Sequence, residues 1–172
     1  IFGYSTKSLD TLGLSIRGGI RLLREIFRYR KNRRGALSSN FAEGGAFLKT
    51  KPELKDPDVQ LHFVVAMVDD HARKMHMGHG FSCHVCLLRP HSRGSLTLQG
   101  NSMDTPPLID IGFLKDPRDL DALVDGFKLT RKIMHAPAMA KWILKDKFTE
   151  GVQTDAEFRE VLRNRVDTVY HP

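Results

Sequence analysis

Cysteine is nearly missing from this sequence: Cys83 and Cys86 are the only two among 172 residues. Two thiols three positions apart cannot staple a chain of this length, so a disulfide scaffold is excluded and the redox compartment stays open. No apolar run approaches the roughly 18 residues that a membrane-spanning helix needs. Aromatics make up only 8% with a single Trp, yet ten Phe and 41% hydrophobic content are too apolar for a disordered chain. Internal repeats and low-complexity stretches are absent, which removes collagen and coiled coils. No nucleotide loop is present, because Gly18-Gly19 and Gly44-Gly45 lack the glycine spacing of a phosphate cradle. Ser38-Ser39 and Ser82 lack the flanking glycines of a nucleophile elbow. What remains is one domain, long enough to bury one sizeable core.

Charge is uneven. Lys and Arg number 27 against 20 Asp and Glu, a net charge of +7. Eight of the cations, Arg17, Arg21, Arg24, Arg28, Arg30, Lys31, Arg33 and Arg34, crowd one short stretch with Glu25 as its single acid. That local excess equals the net charge of the whole chain. Elsewhere the chain is balanced, so no nucleic acid partner is expected, and a solvated helix face or contact with acidic lipid or another domain are the readings left for the stretch.

Leu12, Ile16, Ile20, Leu23 and Phe27 recur at helical spacing, predicting an amphipathic helix over residues 7–29 with the arginines about 100° round from the apolar stripe. Residues 41–50 read as a strand with a glycine kink, and 52–57 as a polar turn. Val59, Leu61, Phe63 and Val65 alternate with Gln60, His62 and Val64, a strand over 59–67 with one apolar face. Residues 69–80 show no periodicity and read as a loop. Residues 81–88 and 95–99 read as strands that pair as a hairpin across the breaker-rich turn Arg89 to Gly94. Asp116 before Pro117 starts a helix to about His135, with Leu120, Leu123, Val124, Phe127 and Met134 inward. A short helix follows from Ala136-Pro137, and Thr154 with Glu157 forms a capping box for the last, with Phe158, Val161, Leu162 and Val166 inward. The expected fold is α+β, a mainly antiparallel sheet flanked by helices.

His71, His76, His79, Cys83, His84 and Cys86 draw attention as metal ligands, but no downstream pair closes a tetrahedron. On a strand, Cys83 and Cys86 also project to opposite faces, so no metal is expected. His62 lies opposite an apolar stripe, as a satisfied core histidine or a catalytic one. Composition and spacing reach a basic α+β domain and stop there.

Several segments in order carry a resemblance. Ser38 to Phe47, Pro57 to Phe63, the run Leu87-Leu88-Arg89-Pro90-His91-Ser92-Arg93-Gly94-Ser95-Leu96, Pro106 to Asp110 and Asp116 to Leu120 resemble the glucose-methanol-choline (GMC) flavin oxidoreductases. Asp167 to Pro172 is similar to the stretch leading into that family's active-site histidine. The resemblance implies that residues 1–172 are the substrate-binding domain of a larger FAD-dependent enzyme, similar to choline-dehydrogenase-like alcohol dehydrogenases. Such enzymes oxidise the CH–OH group of a primary alcohol to an aldehyde by hydride transfer to FAD. By position, His171 matches the histidine that removes the hydroxyl proton, a task for which imidazole has a suitable proton affinity. His62 matches a pocket histidine, with Glu43 on an adjacent strand and Phe41 beside it. Ala42 stands where choline-handling members place a second aromatic, and it offers no cation-binding face, so an uncharged alcohol is expected.

The glycine-rich FAD motif and the partner of the active-site histidine are expected outside this chain, which starts at Ile1 and ends at His171-Pro172 as a piece of a longer protein would. FAD is therefore expected in the parent and not on this piece alone. A quinone or another acceptor, or oxygen in an oxidase, takes the electrons. The expected location is cytoplasmic, with association at the cytoplasmic face of a membrane left open. The alternative from another class is a noncatalytic basic domain docking on a membrane surface or an acidic partner.

Overall fold

The computed structural model describes residues 1–69, 74 and 76–168. In chain order the elements are β1 (Phe2–Thr6), β2 (Gly13–Leu14), α1 (Ile16–Asn32), a 3-10 turn (Ala36–Ser38), β3 (Gly44–Leu48), β4 (Val59–Val64) and β5 (Gly78–Leu87). Then come β6 (Ser95–Thr97), β7 (Leu108–Asp110), α2 (Pro117–Met134), α3 (Pro137–Ala140), β8 (Lys145–Asp146) and α4 (Asp155–Arg165).

The strands form a six-stranded sheet in the order β3-β4-β5-β1-β8, with β2 also pairing β5, and every pairing between these strands is antiparallel. The α+β expectation thus holds. The alternation read in β4 sets the register: Val59, Leu61 and Phe63 lie opposite Leu87, Val85 and Cys83 of β5 on one face. That face is covered by α2. Leu120, Leu123, Val124, Phe127 and Met134 are all buried there, against Phe2, Tyr4, Leu61, Phe81 and Cys83, with Phe158 and Leu162 of α4 behind them. The Phe127 ring centroid lies 4.5 Å from that of Phe2, and deleting such a ring costs about 3–5 kcal/mol. A glycine sets how closely the layers meet: a Cβ on Gly126 would lie 3.1 Å from Val59 Cγ1 and 3.2 Å from Val85 Cγ1.

α2 and α4 start where their side-chain caps require. The Asp116 carboxylate accepts from the Arg118 N–H, and the Thr154 and Glu157 side chains each accept from the other's backbone, completing the capping box. Between α2 and α4, the Arg131 guanidinium lies 4.6 Å over the Phe158 ring and donates to the Thr149 carbonyl at 3.1 Å.

Four sequence expectations need correction. First, β3 starts only at Gly44, because Phe41 sits at φ 64°, a left-handed conformation that breaks an extended strand. Second, β5 starts at Gly78 inside the expected loop, drawn into order by β1 and β2 pairing along it. Third, β5 and β6 do not form a hairpin. β6 pairs β7 in a separate two-stranded sheet, whose six residues are all exposed. Fourth, α1 forms later than predicted and its apolar stripe is not packed. Ile16, Ile20, Leu23 and Phe27 are 87%, 58%, 59% and 73% exposed, and no residue of α1 is buried. The helix touches β2 and the 3-10 turn, turning its other side inward.

Candidate functional site

A cavity of about 890 Å³ lies between the inward side of α1 and the end of the sheet. Phe41 and Glu43 line it, together with Leu22, Val65, Met67 and His79. The structure therefore brings two of the expected substrate-binding residues to one wall. Phe41 reaches it in a strained backbone conformation, held by its N–H donating to Ser39 Oγ at 2.9 Å and its carbonyl accepting the Val65 N–H at 2.9 Å. A left-handed non-glycine residue costs roughly 1–3 kcal/mol, and such outliers gather where a binding wall must be shaped.

His62 is not on that wall. It projects from the sheet face opposite α2, across from Gly45 on β3 and His84 on β5, so two imidazoles stand side by side on neighbouring strands. Glu43, expected on the adjacent strand, instead lies just before β3, whose pairing begins at Gly44, and two residues ahead of the Gly45 that faces His62. On the same face Ser82 donates to the Ala66 carbonyl at 2.9 Å, leaving its oxygen to accept from His84 Nε2 at 3.4 Å. His171 lies outside the described residues.

Sequence reading missed the polar pair that closes the cavity. His79, 7% exposed, has Nδ1 at 2.9 Å from the Thr11 carbonyl, an acceptor only, so in the neutral ring Nδ1 carries the proton. Nε2 then accepts the Ser15 hydroxyl at 2.8 Å, while Ser15 Oγ accepts the Gly18 N–H at 2.9 Å as the N-cap of α1. The chain thus pins the start of α1 to β5. A second fixture is Glu25, whose carboxylate accepts the Ala36 N–H at 2.8 Å and pairs with Arg28 at 3.5 Å. The bond from Ala36, with Arg28 beside it, holds this carboxyl below the usual range. Further round the cavity His76 Nε2 lies 3.0 Å from Asp69, which also pairs with Arg165 at 3.3 Å.

Cys83 faces the α2 core and Cys86 the opposite side of the sheet, as a separation of three along a strand dictates. Burial pushes the Cys83 thiol up to about 11 and raises Cys86. Among the described residues no three His, Cys, Asp or Glu side chains converge on a point that would hold a metal ion.

The family model described as GMC oxidoreductase, in its C-terminal part, matches residues 90–172. The alcohol dehydrogenase [acceptor] of Pseudomonas putida is 40% identical over 149 residues, covering 86% of this chain and 27% of that protein. The oxygen-dependent choline dehydrogenase of Acinetobacter baumannii is 33% identical over 143 residues, 82% of this chain and 26% of its own length. The chain thus spans about a quarter of the length of these relatives. A solved formate oxidase superposes with a TM-score of 0.80 over 99% of this chain and 35% of its own, at 20% identity, a likeness of fold. The antiparallel sheet under α2, the ordered run of motifs and these relatives agree, and the chain belongs to the GMC oxidoreductases.

Proposed function

We propose that residues 1–172 are the substrate-binding domain of a larger FAD-dependent enzyme that oxidises the CH–OH group of a primary alcohol to an aldehyde by hydride transfer to the flavin. The observation that carries this is the 40% identity to an alcohol dehydrogenase over 86% of the chain. The residues present do not by themselves fit FAD. The strands of the six-stranded sheet pair antiparallel, and the turn from β2 through Ser15 into α1, with Gly13, Gly18 and Gly19, lacks the glycine spacing that cradles a pyrophosphate. In this reading, segments of the parent outside these residues hold the cofactor, which supplies the hydride acceptor.

The chain's own residues then do three things. The cavity behind Phe41 and Glu43, with Leu22, Val65 and Met67 on its wall, takes the apolar body of the alcohol out of water. His62, beyond Glu43 on the sheet face away from α2 and outside the cavity lining, hydrogen-bonds the hydroxyl where it extends out of the cavity and orients it. His171 accepts the hydroxyl proton, since imidazole is the side chain whose ordinary proton affinity suits that transfer near neutral pH. Ala42 leaves no paired aromatic face for a cation, which favours an uncharged substrate.

The test is to purify the full-length parent, record flavin absorbance, and follow anaerobic flavin bleaching with a series of primary alcohols and with choline. Bleaching by uncharged alcohols supports the proposal. A flavin-free protein, or one bleached by none of these substrates, overturns it. Adding oxygen or a quinone to the reduced enzyme separates an oxidase from a dehydrogenase.

A further inference from the structure

The outward face of α1 is unlike the rest of the surface. Ile16, Ile20, Leu23 and Phe27 form one apolar stripe along a helix of 17 residues, all more than half exposed. At 100° per residue, Arg17, Arg24 and Lys31 flank the stripe on one side and Arg30 on the other, with Arg33 and Arg34 just past its end. The helix has one acid, Glu25, and that carboxylate is turned inward onto the Ala36 N–H. Arg21 and Arg28, nearer the body, pair with Asp10 at 3.2 Å and with Glu25. Among the described residues, none of the six flanking cations has an ion-pair partner.

We infer that α1 is an interfacial helix that lays Ile16, Ile20, Leu23 and Phe27 into an anionic phospholipid surface, its flanking arginines and lysine on the headgroups. Charge complementarity selects this occupant. An apolar strip bordered by cations on both sides matches a bilayer interface, where acyl chains lie below a layer of negative phosphates. Long Arg and Lys stems also cover the edge of the apolar stripe while their charged ends reach the headgroups. No helix among the described residues is long and apolar enough to cross a membrane, so α1 would lie along the surface. The N-cap Ser15, bound to both His79 and Gly18, fixes the helix to the sheet, and the cavity lies on the opposite side of α1 from the bilayer. This inference does not depend on the reaction proposed above.

The full-length parent is purified without detergent and sedimented with vesicles of phosphatidylcholine alone or mixed with phosphatidylglycerol. A Phe27→Trp variant reports insertion by fluorescence, its added emission taken as the difference from the unsubstituted protein. Expected are sedimentation with the mixed vesicles only, loss of it in high salt, and a blue shift of the added emission when those vesicles are present. Each cation replaced among Arg17, Arg24 and Lys31 should lower the partition coefficient about fivefold. Leu23→Ser with Phe27→Ser should abolish binding while leaving the circular dichroism unchanged. Absence of binding, or binding that survives this double change, overturns the inference. So does an added emission already blue-shifted without lipid and unresponsive to vesicles, which would show the stripe covered by protein.

Discussion

Asp119 and Ser92 hold each other from opposite ends of a long excursion. The Asp119 carboxylate accepts the Ser92 N–H at 2.8 Å and the His91 N–H at 2.7 Å, while Ser92 Oγ accepts the Asp116 N–H at 2.9 Å. The turn Arg89 to Gly94 and the first turn of α2 are therefore one hydrogen-bonded unit, and of the segment between them residues 95–111 are exposed while Leu114 packs back against the core.

Asp119 is 2% exposed. Burial alone would push its carboxyl up, but the bonds from Ser92 and His91 together outweigh it and hold the carboxyl below its usual range. A depressed carboxyl contributes stability that is complete above the unfolded value near 3.9 and is lost as pH falls through the folded value. Asp119→Asn should cost about 2–3 kcal/mol at neutral pH. It should also flatten the acid limb of the stability curve, read by urea unfolding at several pH values. An unchanged acid limb would exclude Asp119 as its source.

Neither thiol should act as a nucleophile. With Cys83 pushed up to about 11 and Cys86 also raised by burial, both are protonated at pH 7. A thiol-reactive chromophore should label native protein far more slowly than unfolded protein, and labelling at equal rates would contradict the buried placement.

Gly126 lets α2 approach the sheet. Gly126→Ala requires Val59 and Val85 to give by a few tenths of an ångström, offsetting the helix propensity gained, and should change stability by about 1 kcal/mol or less. Gly126→Val has no such room and should cost about 1–3 kcal/mol by overpacking. Thermal unfolding of the two variants separates the contributions.

Phe41→Gly relieves the left-handed strain at φ 64° while removing a cavity wall. Stability should stay within about 1 kcal/mol, as strain relief offsets lost packing and added chain entropy. If the cavity holds the alcohol, KM should rise in the full-length parent. An unchanged KM would move the binding site elsewhere.

In that parent, His171→Ala should slow alcohol-dependent flavin reduction by about 100-fold or more with FAD retained, the low end of a general base's contribution. His62→Ala should act mainly on substrate affinity. Stopped-flow reduction distinguishes the two, and a His171→Ala variant reducing its flavin at the parent rate refutes the assignment.

The elements readable in the sequence are those whose signals are local. Asp116-Pro117 and Thr154 with Glu157 mark helix starts by hydrogen bonds made within four residues, and β4 announces its faces by alternation. Elements defined by distant partners were not legible. β1 is five residues whose burial comes from β5 and β8, more than 70 positions away. The start of β5 at Gly78 to Gly80 has the glycines of a loop. In α1 the periodicity shows two faces without showing which one turns toward the sheet, and the one that does, lining the cavity, is the face of Gly18, Leu22 and Glu25. Phe41, Glu43 and His62 were singled out as substrate-binding residues by resemblance and not by any local pattern. The Ser15 and His79 pair, 64 residues apart, carries no local pattern that would reveal it.

The small sheet of β6 and β7 closes at its base, where Gly94 fits against Asp110 and Ile111, and is held to α2 where Asp119 grips the turn. None of its six residues is buried, so its amides should exchange with solvent by a local opening that leaves the main sheet and α2 protected. Protease nicking within residues 98–107 should then yield two pieces that stay together and melt as one.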